Sequence, residues 1–202
     1  MNNVEIPSSG LRVGLYFGSF NPVHNGHLSL AQHLLAEGKV DEVWFVVSPC
    51  NPLKQQSDLI DHHIRLEMLQ LAVDGNPSLK VSDIEFSMPV PSYTVDTLKK
   101  FSSLYPSVQF SLLIGSDNAL LFDKWKDYKK ILADNVVWVY PRPGYDFALV
   151  KGRYPEMRLL DTPFYDVSST EIRKKIAEKE DVSGDIPPVV YVYIQDHGLY
   201  NS

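Results

Sequence analysis

The chain has 202 residues, and 19 Lys and Arg against 25 Asp and Glu give a formal net charge of −6. That length accommodates one domain with a sizeable core, while a single cysteine, Cys50, excludes an internal disulfide framework and a cysteine-rich zinc site. The mild acidity argues against a general binder of nucleic acid or of anionic membrane, and no apolar run approaches the roughly 20 residues that span a bilayer. Residues 1–10 are polar and lack the basic-then-apolar pattern of an export signal. The expectation is one domain over residues 11–202 behind a short polar extension, residues 1–10, in the cytoplasm.

The first element is a strand at 13–17, Val-Gly-Leu-Tyr-Phe. Leu28, Ala31 and Leu35 then recur at i, i+3 and i+7 and predict a helix that Gly38 ends. A strand at 43–47 follows. Ile64, Met68, Leu71 and Ala72 predict the apolar face of a second helix, which stops before Gly75-Asn76-Pro77. After a weaker strand at 79–81 come a helix over about 94–105 stopped by Pro106, a strand at 110–114, a helix over about 117–132 with a break near Asp123, and a strand at 136–140. A late helix begins at Ser168. The apolar run 189–194 lies between Pro187-Pro188 and His197-Gly198, which predicts a short helix rather than a strand.

The strands at 13–17, 43–47, 110–114 and 136–140 are almost continuously apolar, so both of their faces are buried, as in a parallel sheet. Strands alternating with helices imply an α/β fold: a doubly wound, mostly parallel sheet with right-handed crossovers and a C-terminal helical tail. Ligands of such sheets bind beyond the carboxyl ends of the strands, where the strand order switches. Gly18-Ser19-Phe20, Ser48-Pro49, Gly115-Ser116-Asp117 and Pro141-Arg142 occupy those positions.

The sharpest local signal is Gly18-Ser19-Phe20-Asn21-Pro22-Val23-His24-Asn25-Gly26-His27, between the first strand and the first helix. Gly18 lets backbone approach a ligand. His24 and His27 share a face of the first helical turn, beside free N–H groups and the positive end of the helix dipole, where an anion is favoured. Two imidazoles there can donate hydrogen bonds to phosphate oxygens, as charged donors when protonated. A lone pair of histidines at a helix start is equally compatible with a structural role. Zinc is disfavoured because no Glu, Asp or Cys stands nearby at ligand spacing. The dinucleotide fingerprint, the Walker A loop and the G-x-S-x-G elbow are all missing.

A second signal lies far downstream, at Val167-Ser168-Ser169-Thr170-Glu171-Ile172-Arg173. Ser168 and Glu171 form a capping box, which alone is structural. Ser169 and Thr170 add hydroxyls at the same helix start and Arg173 adds a guanidinium, a set suited to cradling a polyphosphate.

Taken together, His24-Asn25-Gly26-His27 and Ser168-Ser169-Thr170-Glu171-Ile172-Arg173 resemble the HxGH and S-[ST]-T-x-x-R signatures of the nucleotidyltransferase superfamily, whose fold is Rossmann-like. More closely, the chain resembles the bacterial nicotinate-nucleotide adenylyltransferases. The likeness runs through Pro52-Leu53-Lys54, residues 63–69, the stretch from Pro91-Ser92-Tyr93-Thr94 to Leu98, Gly115-Ser116-Asp117, Trp125, Arg142-Pro143-Gly144 and residues 193–200. Two positions depart from the family pattern: Leu53 stands where a histidine is usual, and Asn21 where Asp is frequent.

The resemblance implies transfer of the adenylyl group of ATP to nicotinate mononucleotide, giving deamido-NAD and pyrophosphate without a covalent intermediate. It implies His24, His27 and Arg173 as the catalytic side chains. Gly18, Ser19, Phe20, Lys54, Gly115, Asp117, Ser169 and Thr170 would bind the nucleotide, with Asp117 accepting from the ribose hydroxyls. Ser92, Tyr93, Thr94 and Trp125 would bind the nicotinate substrate, with Trp125 stacked on the pyridine ring and Thr94 with its surrounding backbone reading the carboxylate. Mg²⁺ would be held mainly by the phosphates of ATP, with no metal site on the protein itself. The implied partners are small molecules, without nucleic acid or membrane, and a homo-oligomer stays open. The competing readings are a sister enzyme acting on nicotinamide mononucleotide or pantetheine phosphate, a cytidylyltransferase, and a non-catalytic nucleotide sensor.

Overall fold

The computed structural model describes residues 10–49, 59–163 and 165–201. Its elements are β1 (Arg12–Gly18), α1 (Asn25–Ala36), β2 (Glu42–Val47), α2 (His62–Val73), β3 (Leu79–Ser82), α3 (Thr94–Leu104), β4 (Gln109–Gly115), α4 (Ser116–Leu120), α5 (Tyr128–Asp134), β5 (Val136–Tyr140), α6 (Phe147–Arg153), β6 (Arg158–Leu159), α7 (Ser169–Ala177) and α8 (Pro188–Asp196). Two 3₁₀ turns, Ile84–Ser87 and Phe122–Lys124, complete them. The six strands form one sheet in the order β3-β2-β1-β4-β5-β6, and each adjacent pair is parallel.

Alternation of side chains along each strand divides the core in two. Val13, Leu15, Trp44, Val46, Leu112, Ile114, Val137 and Val139 face one side, covered by α3 to α6. Tyr16, Val43, Phe45, Val47, Leu113, Trp138 and Tyr140 face the other, under α1, α2, α7 and α8. Both faces are apolar, which is why the strands read as unbroken hydrophobic runs. The chain winds outward through β2 and β3, then returns to place β4 against β1 on its other side. Gly18 and Gly115, the last residues of β1 and β4, therefore open onto the crevice at the switch in strand order.

The expected α/β architecture, the five strands and the C-terminal helix at 188–196 are all present, and the helix expected over 117–132 is broken into α4, a 3₁₀ turn and α5. The buried faces of two helices differ from expectation. On α1 the buried residues are Leu30, Ala31 and Leu34, with Leu28 and Leu35 at the margins. On α2 they are Arg65, Met68, Leu69 and Val73, while Leu71 is 42% exposed. A buried arginine in the apolar stripe rotates that face away from the one drawn through Leu71. The first 3₁₀ turn, α6 and β6 were not anticipated. α6 carries a readable cap, since Asp146 accepts a hydrogen bond from the Ala148 amide at 2.7 Å. β6 has only two residues, too short for any periodicity.

Candidate active site

Two cavities meet at the carboxyl ends of β1 and β4. The first, about 290 Å³ in volume, is bounded by Gly18 to Asn21, His24, His27, Asp117, Asn118, Arg142, Ser168 to Thr170 and Arg173. The second, about 210 Å³, is bounded by Ser48, Glu85, Ser92, Tyr93, Thr94, Gly115 and Lys124 to Lys126. Tyr16, Phe17, Gly18, Asn118 and Tyr140 line both, so the cavities share one wall.

Two direct bonds join the distant motifs. Ser169 Oγ donates to the Pro22 carbonyl at 2.9 Å, and Arg173 Nη1 donates to the Asn21 carbonyl at 2.9 Å. Ser168 caps α7 by accepting from the Glu171 amide at 3.2 Å, as the capping-box pattern predicts. Asn21 itself is fixed by Tyr200, whose hydroxyl donates to Asn21 Oδ1 at 2.8 Å. The N-terminal turns of α1 and α7 thus face one cavity, and their dipoles add to the guanidiniums of Arg142 and Arg173 in favouring an anion.

The histidines stand closer together than spacing alone requires. Their rings stack at 3.6 Å between centroids, and the His24 amide donates to His27 Nδ1 at 3.2 Å. Accepting there leaves Nε2 to carry the proton of neutral His27. His24 is 4% exposed, and burial, reinforced by the nearby Arg142 charge, pushes its pKa down to about 3. At neutral pH His24 is therefore an uncharged donor, so of the two states open to the imidazoles it takes the neutral one. Phe20, buried with φ at +46°, turns its ring edge-on to His27 at 5.0 Å. That ring also explains Gly18, because a Cβ there would lie 2.9 Å from Phe20 Cζ.

Asp117 lies in the first turn of α4, whose cap is the Gly115 backbone, so Asp117 does not serve as the cap. Its Oδ1 is buried and accepts no hydrogen bond among the described residues; Arg142 Nε stands 3.8 Å away. A Cβ on Gly115 would lie 2.3 Å from that oxygen. An orphaned buried carboxylate oxygen facing a cavity is ready for a ligand donor.

In the second cavity, α3 starts with Tyr93 as its cap and no capping side chain, leaving first-turn N–H groups available. Ser92 Oγ and Thr97 Oγ1 donate to the two oxygens of Glu85 at 2.9 and 2.8 Å. Glu85 is 3% exposed. Trp125 lies in extended backbone after the second 3₁₀ turn, packed on Phe122 at 5.0 Å, with its Nε1–H buried and unpartnered among the described residues. Lys126 pairs with Asp96 at 2.8 Å and lies over the Tyr93 ring.

Gly18, Ser19, Phe20, His24, His27, Asp117, Ser169, Thr170 and Arg173 thus come together in the first cavity, and Ser92, Tyr93, Thr94, Gly115 and Trp125 in the second. Lys54, with Leu53 and Cys50, lies outside the described residues. Sequence reasoning passed over Arg142 as a site residue although it follows β5, where a ligand crevice was expected. It also missed Glu85, Tyr16 and Tyr140. The two phenols sit with their oxygens 3.3 Å apart, and burial keeps both of them protonated. Nothing local marks these residues, since each looks like part of a strand or turn. Among the described residues no group of three or more His, Cys, Asp and Glu stands together as a metal site, and no helix is long and apolar enough to cross a membrane.

A family model described as cytidylyltransferase-like matches residues 15–175. A Bacteroides thetaiotaomicron protein named "probable nicotinate-nucleotide adenylyltransferase" is 44% identical over 191 residues, covering 94% of each chain. A Flavobacterium johnsoniae protein of the same name is 41% identical, covering 94% of this chain and 99% of its own. Among solved structures, Plasmodium falciparum nicotinic acid mononucleotide adenylyltransferase complexed with NaAD superposes with a TM-score of 0.81, at 22% identity, over 95% of this chain and 98% of that one. The last shows the shared fold, and the family match and the 41–44% identities supply the lineage: the chain belongs to the cytidylyltransferase-like nucleotidyltransferases, within the nicotinate-nucleotide adenylyltransferase family.

Proposed function

We propose that this protein transfers the adenylyl group of ATP to nicotinate mononucleotide, releasing pyrophosphate. The observation that carries this reading is the pair of bonds from Ser169 and Arg173 to the carbonyls of residues 21 and 22, which closes a cationic, N–H-rich cavity directly against a second, aromatic-walled one. The first cavity takes ATP. Arg173, Ser169, Thr170 and the α7 N-terminus hold the outer phosphates. Gly18 and Ser19 pass beneath them, and Asp117 Oδ1 accepts from the ribose. The second cavity takes the acceptor, with its pyridine ring on Trp125 and its carboxylate at the α3 N-terminus near Thr94.

In the reaction, a phosphate oxygen of the mononucleotide attacks the α-phosphorus of ATP in line. The new P–O bond forms as the bond to the bridging oxygen of pyrophosphate breaks, and the electron pair leaves with pyrophosphate. No side chain need bond to phosphorus, since positioning and charge stabilisation carry such a transfer. His27 Nε2–H and the neutral His24 donate to the phosphate oxygens as charge develops, while Arg173 and Arg142 balance the departing charge. Mg²⁺ carried on the ATP phosphates would supply part of the charge neutralisation, beside Arg142 and Arg173. The buried His24 contributes as an oriented dipole, which needs no reorganisation during the step.

The test is an acceptor panel. ATP is supplied with nicotinate mononucleotide, nicotinamide mononucleotide or pantetheine phosphate separately, and CTP replaces ATP in a parallel series. The expected result is fastest pyrophosphate release with ATP and nicotinate mononucleotide. A faster rate with another pair would reassign the substrate, and ATP binding without pyrophosphate release for any acceptor would make the protein a sensor.

A further inference from the structure

Among the described residues, the largest side chain buried without measurable exposure is an arginine, Arg65 on α2, and none of their carboxylates lies within ion-pairing distance of it. Its guanidinium is spent on carbonyls. Nη1 donates to Ser19 and, at 2.9 Å, to Ser48; Nη2 donates to Pro49 at 3.2 Å; Nε donates to Ile60 at 3.0 Å. Burial pulls its pKa down to about 10, still far above neutrality, so the cation persists.

The partners are not scattered. Ser19 lines the cavity assigned to ATP, and Ser48 lines the cavity assigned to the acceptor. They follow adjacent strands, β1 and β2, and a single nitrogen bonds to both. A buried charge is costly, and an apolar side chain in the same stripe would fill the space without that cost. What a fork of planar donors adds is geometry: several bonds fixed in one plane at set separations, which a flexible ammonium does not reproduce. In-line transfer between two separately bound substrates is the kind of step in which a misplacement of about 1 Å costs roughly 10²-fold.

On the reading of the two cavities given above, we infer that Arg65 is a positioning residue that sets the register between the ATP and acceptor sites, through its shared bonds to the Ser19 and Ser48 carbonyls. It touches neither substrate. Losing the fork leaves each half-site able to bind its own ligand and misaligns the two.

The test compares wild type with Arg65→Lys, which keeps the charge without the fork, and with Arg65→Gln, which keeps a donor without the charge. Affinities are measured separately for ATP, for nicotinate mononucleotide and for deamido-NAD, which spans both sites, together with kcat on the folded fraction. The expected result is ATP and mononucleotide affinities within about threefold of wild type, with both kcat and deamido-NAD affinity at least about tenfold lower, because a linked ligand gains from two sites only when their spacing fits. Parallel weakening of all three ligands, unchanged kcat and deamido-NAD binding, or failure of both variants to fold would each overturn the inference and leave Arg65 a residue of stability alone. Wild-type protein that fails to bind the mononucleotide would instead overturn the substrate assignment, a distinct result.

Discussion

Gly115→Ala separates the site from the fold with one carbon atom. The backbone at Gly115 has φ −78° and ψ 158°, extended geometry that alanine adopts freely. The added methyl has no room, however: it falls 2.3 Å from Asp117 Oδ1, 3.0 Å from Arg142 Cγ and 3.2 Å from Tyr140 Cζ. Asp117 is half-buried and its Oδ1 is otherwise unbonded, so rotating that carboxylate is the cheapest relief. The rotation would remove the hydrogen bond proposed between Asp117 and the ribose, and a hydrogen bond to a charged group contributes about 1.5–3 kcal/mol. At 1.4 kcal/mol per decade this becomes a rise in the KM for ATP of about 10- to 150-fold. Initial rates of pyrophosphate release, with ATP varied at saturating nicotinate mononucleotide, measure it directly, and a melting curve confirms that the variant folds. A folded variant whose KM for ATP stays within about twofold of wild type would refute the placement of Asp117 against the nucleotide.

Three further outcomes can be checked on the same preparation. His27→Ala should lower kcat by about 10²-fold or more, the scale for one preorganised donor, and wild-type turnover would remove His27 from the reacting phosphates. Trp125→Ala should raise the KM for the mononucleotide while leaving that for ATP nearly unchanged; equal damage to both would argue against ring stacking. His24 has a folded pKa of about 3, below its unfolded value near 6.5. The unfolded chain therefore binds more protons between those limits, and the stability His24 contributes, full above pH 6.5, is lost as pH falls through that window. The melting temperature of wild type should accordingly drop more between pH 7 and pH 5 than that of His24→Asn, and equal drops would contradict a buried neutral imidazole.

The strands were legible because burial on both faces leaves uninterrupted runs such as Val43 to Val47, and the C-terminal helix because Pro188 can only begin one. The α2 face was misjudged because hydrophobic patterning does not assign a buried position to Arg65, whose partners are carbonyls and carry no side-chain signature. The two halves of the phosphate cavity were each visible as helix starts. Their contact runs from Ser169 and Arg173 to main-chain oxygens of residues 21 and 22, and spacing cannot reveal it. Resemblance to a family supplied that link. The charge state of His24 was left open for a similar reason: a pKa follows from burial and from Arg142, more than a hundred positions away in the chain. Glu85 carries no sequence signal, because its place in the site rests on bonds from Ser92 and Thr97.

The common wall formed by Tyr16, Phe17, Gly18, Asn118 and Tyr140 has a consequence for how this scaffold can diversify. Beyond that wall, and apart from residues 113–118, which feed both, the two chambers draw on separate stretches of chain: residues 19–27, 59, 142 and 168–173 for one, and residues 48, 85, 92–94 and 124–126 for the other. On the proposed assignment of the chambers, drift in the second group can retune which molecule is modified while the donor machinery is inherited intact, so a lineage can acquire new acceptors without reinventing its chemistry.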